Sequence, residues 1–120
     1  MTEATEMKKA AEMTEELNIR ERIVLEAILP QEGDATTLRI IRKLREQLAF
    51  SEEEVAEWVI RREGTMVHWK DDLGEGPTVV VQMGPRARTI IAESLDGLNA
   101  AKKLRAEHLD LYDRFAGEAG

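Results

Sequence analysis

The segment TMVHWKDDLGEGPTVVVQM, residues 65–83, decides the fold class of this 120-residue chain. Residues 65–70 and residues 78–83 each alternate between two faces and carry β-branched or aromatic side chains, which is typical of strands. The polar residues 71–77 lie between them, and we expect these residues to form the loop of a β-hairpin. Helical patterns flank this hairpin on both sides, so the chain is predicted to be α+β.

The first helix is predicted from a capping box, a pattern in which two residues hydrogen-bond each other's backbone. Asn18 and Glu21 have the required spacing, and they predict a helix over residues 19–29. The second half of this helix is apolar nearly all round, so we expect it to be buried on most sides. Pro30 ends the helix, because the residue before a proline avoids the α region.

A second helix is predicted over residues 36–49, with Asp34 or Thr36 as its N-cap. Apolar residues recur along it at spacings of three and four, which indicates one buried face. The residues of this face are Leu38, Ile41, Leu44 and Leu48.

Two further helices flank the predicted hairpin. The earlier one starts at the capping box of Ser51 and Glu54 and is expected to stop at Gly64, a residue suited to the position after a helix end. The later one starts at Pro85, because proline is pre-organised for the first helical position.

The order of these elements is that of a winged-helix-like domain, with helices followed by a β-hairpin and C-terminal helices. We place the single domain at residues 18–116, and a break near Gly97 separates its last helix, residues 104–115. Residues 1–17 are predicted to be an N-terminal acidic helix or tail, and residues 117–120 a loose C-terminus.

The chain is acidic, since 24 acids against 17 bases give a net charge of −7. Nucleic-acid-binding proteins gain much of their affinity by neutralising phosphate, so this balance favours a protein partner over nucleic acid. Small domains bury a smaller share of their surface, and self-association as a homo-oligomer would compensate. No apolar run approaches the roughly 20 residues that span a bilayer. We therefore expect a soluble, cytoplasmic protein without membrane contact.

The third helix is the most acidic segment and carries the predicted partner-binding residues. Residues 51–63 contain five acids against Arg61 and Arg62, a net charge of −3. Such a helix repels phosphate and does not suit the major groove, but it would attract a basic protein. Core packing is the other role open to the two tryptophans, of which Trp69 is expected to be more exposed. The candidate contact residues are Glu53, Glu54, Glu57 and Trp69.

The alternative function is that of a winged-helix DNA-binding transcriptional regulator, which would use the basic residues. The second helix carries four bases against Glu46, and the Pro85 turn places two arginines beside free N–H groups that favour anions. For both sets we favour the interpretation as solvated surface whose arginines pair with the surplus carboxylates. The anion or nucleic-acid candidates are Arg39, Arg42, Lys43, Arg61, Arg62, Arg86 and Arg88.

No pattern in the chain predicts catalysis, a cofactor or a metal site. Nucleophile motifs and glycine-rich phosphate loops are absent from the sequence, which also has no cysteine. His108 lies on the apolar stripe of the last helix, so we interpret it as a structural histidine rather than a ligand. His68 stands alone on a predicted strand. We therefore expect a non-enzymatic protein.

Residues 21–50, ERIVLEAILPQEGDATTLRIIRKLREQLAF, resemble a pattern found in small accessory proteins of phages and prophages. The segments VHW at residues 67–69 and HLDLYDRF at residues 108–115 add to the resemblance. It implies an accessory protein acting on a host protein, and it carries over no functional residue.

Overall fold

The structure, a computed structural model, describes residues 14–116. That range has a mixed α+β fold, as predicted, with five α-helices and two small antiparallel sheets. The helices are α1 (Ile19–Ile28), α2 (Ala35–Leu48), α3 (Glu52–Trp58), α4 (Pro85–Ala100) and α5 (Leu109–Phe115). The strands are β1 (Thr14–Leu17), β2 (Arg61–Glu63), β3 (Met66–His68) and β4 (Val79–Gln82). The predicted loose C-terminus, residues 117–120, lies outside the described range.

Local signals set the starts of α1 to α4 as predicted, whereas the last helix starts at Leu109 instead of residue 104 because a 3-10 turn, Ala106–His108, precedes it. At α1 the capping box forms in full, because the Glu21 N–H donates to Asn18 Oδ1 at 2.8 Å and the Asn18 N–H donates to Glu21 Oε1 at 2.9 Å. At α2 the cap is Asp34, whose carboxylate accepts the Thr37 N–H at 2.8 Å. Pro85 occupies the first turn of α4. Each of these four starts is determined by residues within one turn of it.

The predicted hairpin between residues 65–70 and residues 78–83 is wrong. β3 pairs with β2, and β4 pairs with β1, in two separate antiparallel sheets. The cause is the end of α3. Val59 adopts a left-handed conformation with φ of 51°, so the helix stops at Trp58 instead of at Gly64 and leaves β2 free to pair.

The segment before α1 is a second correction. A helix or tail is predicted over residues 1–17, but Thr14–Leu17 form the strand β1. In this strand Leu17 pairs with Val79 and is fully buried, and such burial outweighs the helix propensity of neighbouring glutamates. Residues 1–13 lie outside the described range.

The core lies between the β1–β4 sheet and helices α1, α2, α4 and α5, and aliphatic side chains supply most of it. Its most deeply buried members are Leu17, Leu25, Leu44, Val81, Met83, Ile91, Leu95 and Leu111. Leu38 was expected on the buried face of α2, yet it is exposed. It lies in the first turn of that helix, which extends beyond the core and contains no buried residue. The helix α3 contributes no buried residue either.

Polar side chains cover both edges of the β1–β4 sheet. Arg88 donates to the Thr14 carbonyl oxygen at 2.8 Å, and Arg114 donates to the Glu16 carbonyl oxygen at 3.3 Å. On the β4 side, Gln47 of α2 accepts the N–H of the last strand residue at 3.4 Å. Open strand edges invite pairing with other chains, and these contacts occupy backbone groups at the edges of this sheet.

The break predicted near Gly97 and Asn99 falls slightly later, because α4 continues to Ala100 and ends there in a Schellman motif. Lys102 adopts φ of 59°, and its N–H donates to the Asn99 carbonyl at 3.0 Å. The Lys103 N–H donates to the Leu98 carbonyl at 2.8 Å. The motif satisfies helix-terminal carbonyls that would otherwise lack donors.

Candidate functional site

Residues 52–68, which comprise α3, β2 and β3, form a unit that we call the arm. No residue of the arm is buried, although the helices on either side of it in the sequence both contribute to the core. The two strands pair with each other and with no other described strand. The arm therefore stands outside the core and presents most of its side chains to the surroundings.

An ion pair between Arg22 and Glu54 anchors the arm to the body of the domain. Arg22 lies on α1 and is 2% exposed, and its two terminal nitrogens contact the Glu54 carboxylate at 3.0 Å and 3.1 Å. The same guanidinium donates to the carbonyls of Leu48 and Ala49 and stacks over Phe50, 4.3 Å from the ring centroid. A buried charge is thus paired, hydrogen-bonded and covered by a ring.

Glu54 has two roles, because it pairs with Arg22 and also takes part in the capping box at the start of α3. Its carboxylate also accepts the Ser51 N–H at 2.8 Å, which completes the predicted capping box of α3. The Arg22 hydrogen bonds hold the pKa of Glu54 below its ordinary value of 4.5, although partial burial acts in the opposite direction. Of the predicted partner-binding residues, Glu54 is therefore committed to an internal contact.

The hairpin of the arm has its own contacts with the body. Arg62 lies 3.8 Å from the Glu26 carboxylate. Trp69, which follows β3, is half-buried, with the Arg20 guanidinium 5.9 Å from its ring centroid. The Trp69 indole N–H donates to the Gly74 carbonyl at 2.8 Å. Trp69 was predicted as an exposed contact residue, but its polar edge is occupied within the chain.

Apolar side chains of the arm project outward. Val55 is 40% exposed, Val59 is 44% exposed and Met66 is 61% exposed. Val55 lies on α3, and Val59 directly follows the last residue of that helix, Trp58. Sequence reasoning missed this pair as a surface, because apolar residues four apart on a helix ordinarily face a core. The short length of α3 is what leaves them outside it.

Exposed acids accompany these valines. Glu53 and Glu57, both predicted partner-binding residues, are exposed, as is Glu52. Neither Glu53 nor Glu57 forms an ion pair with any residue of the range 14–116. The structure thus places free carboxylates and apolar side chains on the same short helix.

Four of the predicted basic candidates lie near one another. Arg39, Arg42 and Lys43 are exposed on α2 at spacings of three and four, so they form one stripe. Lys43 and Arg86 both line a groove of about 530 Å³ between α2 and the start of α4. We call it the α2–α4 groove.

The other three basic candidates lie elsewhere. Arg61 and Arg62 are exposed on β2 in the arm. Arg88 pairs with Glu15 at 3.0 Å in addition to its bond to the Thr14 carbonyl. Arg88 therefore stabilises β1 and is not available to an external anion. No single surface collects all seven residues.

The histidines form no metal centre in the described part of the chain, where no three suitable side chains cluster. His68 Nε2 lies 3.5 Å from the Glu63 carboxylate across the β2–β3 hairpin. His108 is buried, as expected for a structural histidine, and its Nδ1 accepts the Arg105 N–H at 2.9 Å. Within residues 14–116, no helix has the length and apolar character needed to cross a membrane.

Comparison with known proteins leaves the function open. No family model matches the chain, and neither a curated protein nor a solved structure matches it.

Proposed function

We propose that this protein is a non-enzymatic protein-interaction module whose arm docks on a basic partner protein. The observation that carries the proposal is the combination of exposure and backbone strain at Val59. This residue is exposed and holds a left-handed conformation, with φ of 51° and ψ of 52°. Glycine or asparagine would meet this backbone requirement with less strain than a β-branched residue. Strained residues concentrate at functional sites, and the turn that ends α3 needs the left-handed backbone but not an exposed valine side chain.

The charge around Val59 specifies the partner. Val55 and Val59 offer an apolar contact, and Glu52, Glu53 and Glu57 on the same helix offer negative charge. Interfaces commonly place apolar side chains at the centre and charged side chains at the rim, where the charges steer association. The complementary partner has an apolar patch bordered by lysine or arginine.

The resemblance to phage accessory proteins suggests a host protein as this partner, which would place the complex in the cytoplasm. The order α2, α3, β2, β3 is compatible with two helices followed by a wing. We propose a winged-helix-like origin for it, with α3 in the place of the recognition helix. An acidic first turn in that place favours a basic protein over the phosphate backbone.

The test is affinity capture from host lysate with quantitative mass spectrometry, using paired variants. Replacing Val55 and Val59 by aspartate should lower the recovery of the specific partner by about tenfold or more, the loss typical of central contact residues. Glu53→Lys with Glu57→Lys should reduce recovery as well.

The matched control is Glu93→Lys with Asp96→Lys, which makes the same charge change on exposed positions of α4. Recovery that falls equally in the control would assign the effect to net charge alone. Undiminished capture by the valine variant would remove the arm as the docking surface. Light scattering of the isolated protein at several concentrations tests whether a second copy is the partner.

A second candidate function is nucleic-acid binding through α2 and the α2–α4 groove. The observation that favours it is that Lys43 and Arg86, distant in sequence, line one groove beside the exposed Arg39 and Arg42. Gel-shift titration across salt concentrations tests it, because phosphate contacts make affinity fall with salt. A shift that disappears in Arg39→Ala with Lys43→Ala would support this function, and no shift at low salt would eliminate it.

A further inference from the structure

A separate cleft of about 820 Å³ lies between the end of α1, the C-terminal half of α4 and the segment that joins α4 to α5. We call it the α1–α4 cleft. Its lining combines apolar residues with polar, mainly cationic ones. The lining residues that matter here are Ala27, Ile28 and Leu98 among the apolar ones and Lys103, Arg105 and His108 among the polar ones.

His108 lines this cleft and carries a hydrogen-bond donor that has no partner in the described part of the chain. The residue is 8% exposed, and its Nδ1 accepts the Arg105 N–H at 2.9 Å. A ring nitrogen that accepts a hydrogen bond carries no proton, so the ring proton lies on Nε2. Nε2 has no partner in the described part of the chain, where every fully buried side-chain nitrogen or oxygen has one. Nε2–H is therefore accessible, and the α1–α4 cleft is the cavity that His108 lines.

The charge of the cleft wall favours an anion. Lys103 and Arg105 are exposed, and their side chains form no ion pair with the residues between 14 and 116. Glu107 also lines the cleft, so two positive charges against one negative charge leave a net of +1. Two cations next to a neutral N–H donor form a small, localised anion site.

Most backbone carbonyls of α4 that border the cleft already accept a hydrogen bond, so few of them are free to bind a cation. The Leu98 carbonyl is taken by the Lys103 N–H at 2.8 Å, and the Gly97 carbonyl by the Ala101 N–H at 3.1 Å. The hydroxyl of Ser94 donates to the Ile90 carbonyl at 2.9 Å. The helix end that borders the cleft thus presents mostly satisfied carbonyls.

We infer that the α1–α4 cleft binds a small carboxylic acid with an apolar body. The carboxylate accepts from His108 Nε2–H and pairs with Lys103 and Arg105, while the alkyl or aryl body covers Ile28 and Leu98. Sites for small ligands are commonly of this kind, with an apolar lining and a few convergent polar groups. Two cations are too few for a nucleic-acid strand, and the apolar lining residues favour a ligand with an apolar body over inorganic phosphate. The inference does not depend on the arm, which shares no residue with the cleft.

The test uses the full-length protein, isotope-labelled, titrated with hexanoate and observed by heteronuclear NMR. Hexanoate should cause saturable shifts in the amides of Gly97, Leu98 and His108 and should move the Nε2 resonance of His108. Hexan-1-ol, which has the same chain length and no charge, should bind about tenfold more weakly, since charge-assisted hydrogen bonds are the stronger ones.

The variant Lys103→Ala with Arg105→Ala removes exposed side chains and should weaken hexanoate binding by about tenfold. Lys70→Ala with Arg86→Ala makes the same charge change at exposed positions outside the cleft and should leave the affinity unchanged. Absence of saturable shifts in the wild-type protein overturns the inference. Equal binding of hexan-1-ol, or unchanged affinity in the Lys103/Arg105 variant, overturns it too.

Discussion

The Arg22 guanidinium and the Glu54 carboxylate meet through two hydrogen bonds of 3.0 Å and 3.1 Å, and they are the point at which the arm is held to the body. Their positions are 32 residues apart in the chain. Arg22 is almost completely buried, and its remaining donors reach the carbonyls of Leu48 and Ala49. The pair therefore connects α1, the end of α2 and the start of α3 at one place.

Removing one member of this pair should destabilise the fold. Glu54→Ala leaves Arg22 buried with an uncompensated charge and removes the side-chain cap of α3. Breaking a buried pair in this way costs about 3 kcal/mol of unfolding free energy. Chemical denaturation measures it, with Glu53→Ala as the control, because Glu53 is exposed and unpaired in the described range. Equal stability of the two variants would contradict the anchoring role.

The same pair makes stability depend on pH with a definite sign. The pKa of Glu54 is lowered in the folded state, so its contribution is present above the unfolded pKa and is lost as pH falls through the folded value. The free energy of unfolding should therefore decline more steeply below about pH 4 in the wild type than in Glu54→Gln. The pKa of Asp34 is also lowered, by the Thr37 backbone hydrogen bond, but both proteins retain Asp34. Parallel curves would show that the pair contributes nothing.

Stability and docking should respond in opposite directions at Val59. Val59→Gly relieves the left-handed strain and should raise the free energy of unfolding by about 1 kcal/mol. It also removes an exposed apolar contact and should lower partner recovery in the capture experiment.

Lys102 is the matched control for this substitution, because it is a second non-glycine residue in the left-handed region. Lys102→Gly should stabilise the protein similarly and leave partner recovery unchanged. If Val59→Gly retained full recovery, Val59 would have no part in docking.

Gly76 should tolerate alanine poorly. Its φ is 96°, and a Cβ added there would overlap the side chain of Ile19, which is fully buried. Strain and overpacking together should cost about 3 kcal/mol. Gly74→Ala isolates the strain, since Gly74 has φ of 60° and nothing within 4 Å of an added Cβ. Denaturation midpoints of the two variants compare these costs, and equal values would exclude the overlap.

Part of the candidate site was predictable from the sequence. Glu53 and Glu57 were recognisable, because charged side chains on a short helix usually face solvent. Glu54 looked the same in the sequence, and only its position opposite Arg22 distinguishes it. Arg86 and Arg88 were likewise indistinguishable, although one lines a groove and the other pairs with Glu15. Which charges remain free depends on contacts between distant segments.

The sequence by itself determined the mixed α+β class and the starts of α1 to α4. The capping groups at Asn18, Asp34 and Ser51 act on N–H groups within three residues, so these signals need no tertiary partner. Only the tertiary structure decided the strand pairing, the exposure of Val55 and Val59, and the α1–α4 cleft. Each of these features depends on how segments far apart in the chain pack, and there the burial of a side chain such as Leu17 outweighs local propensity.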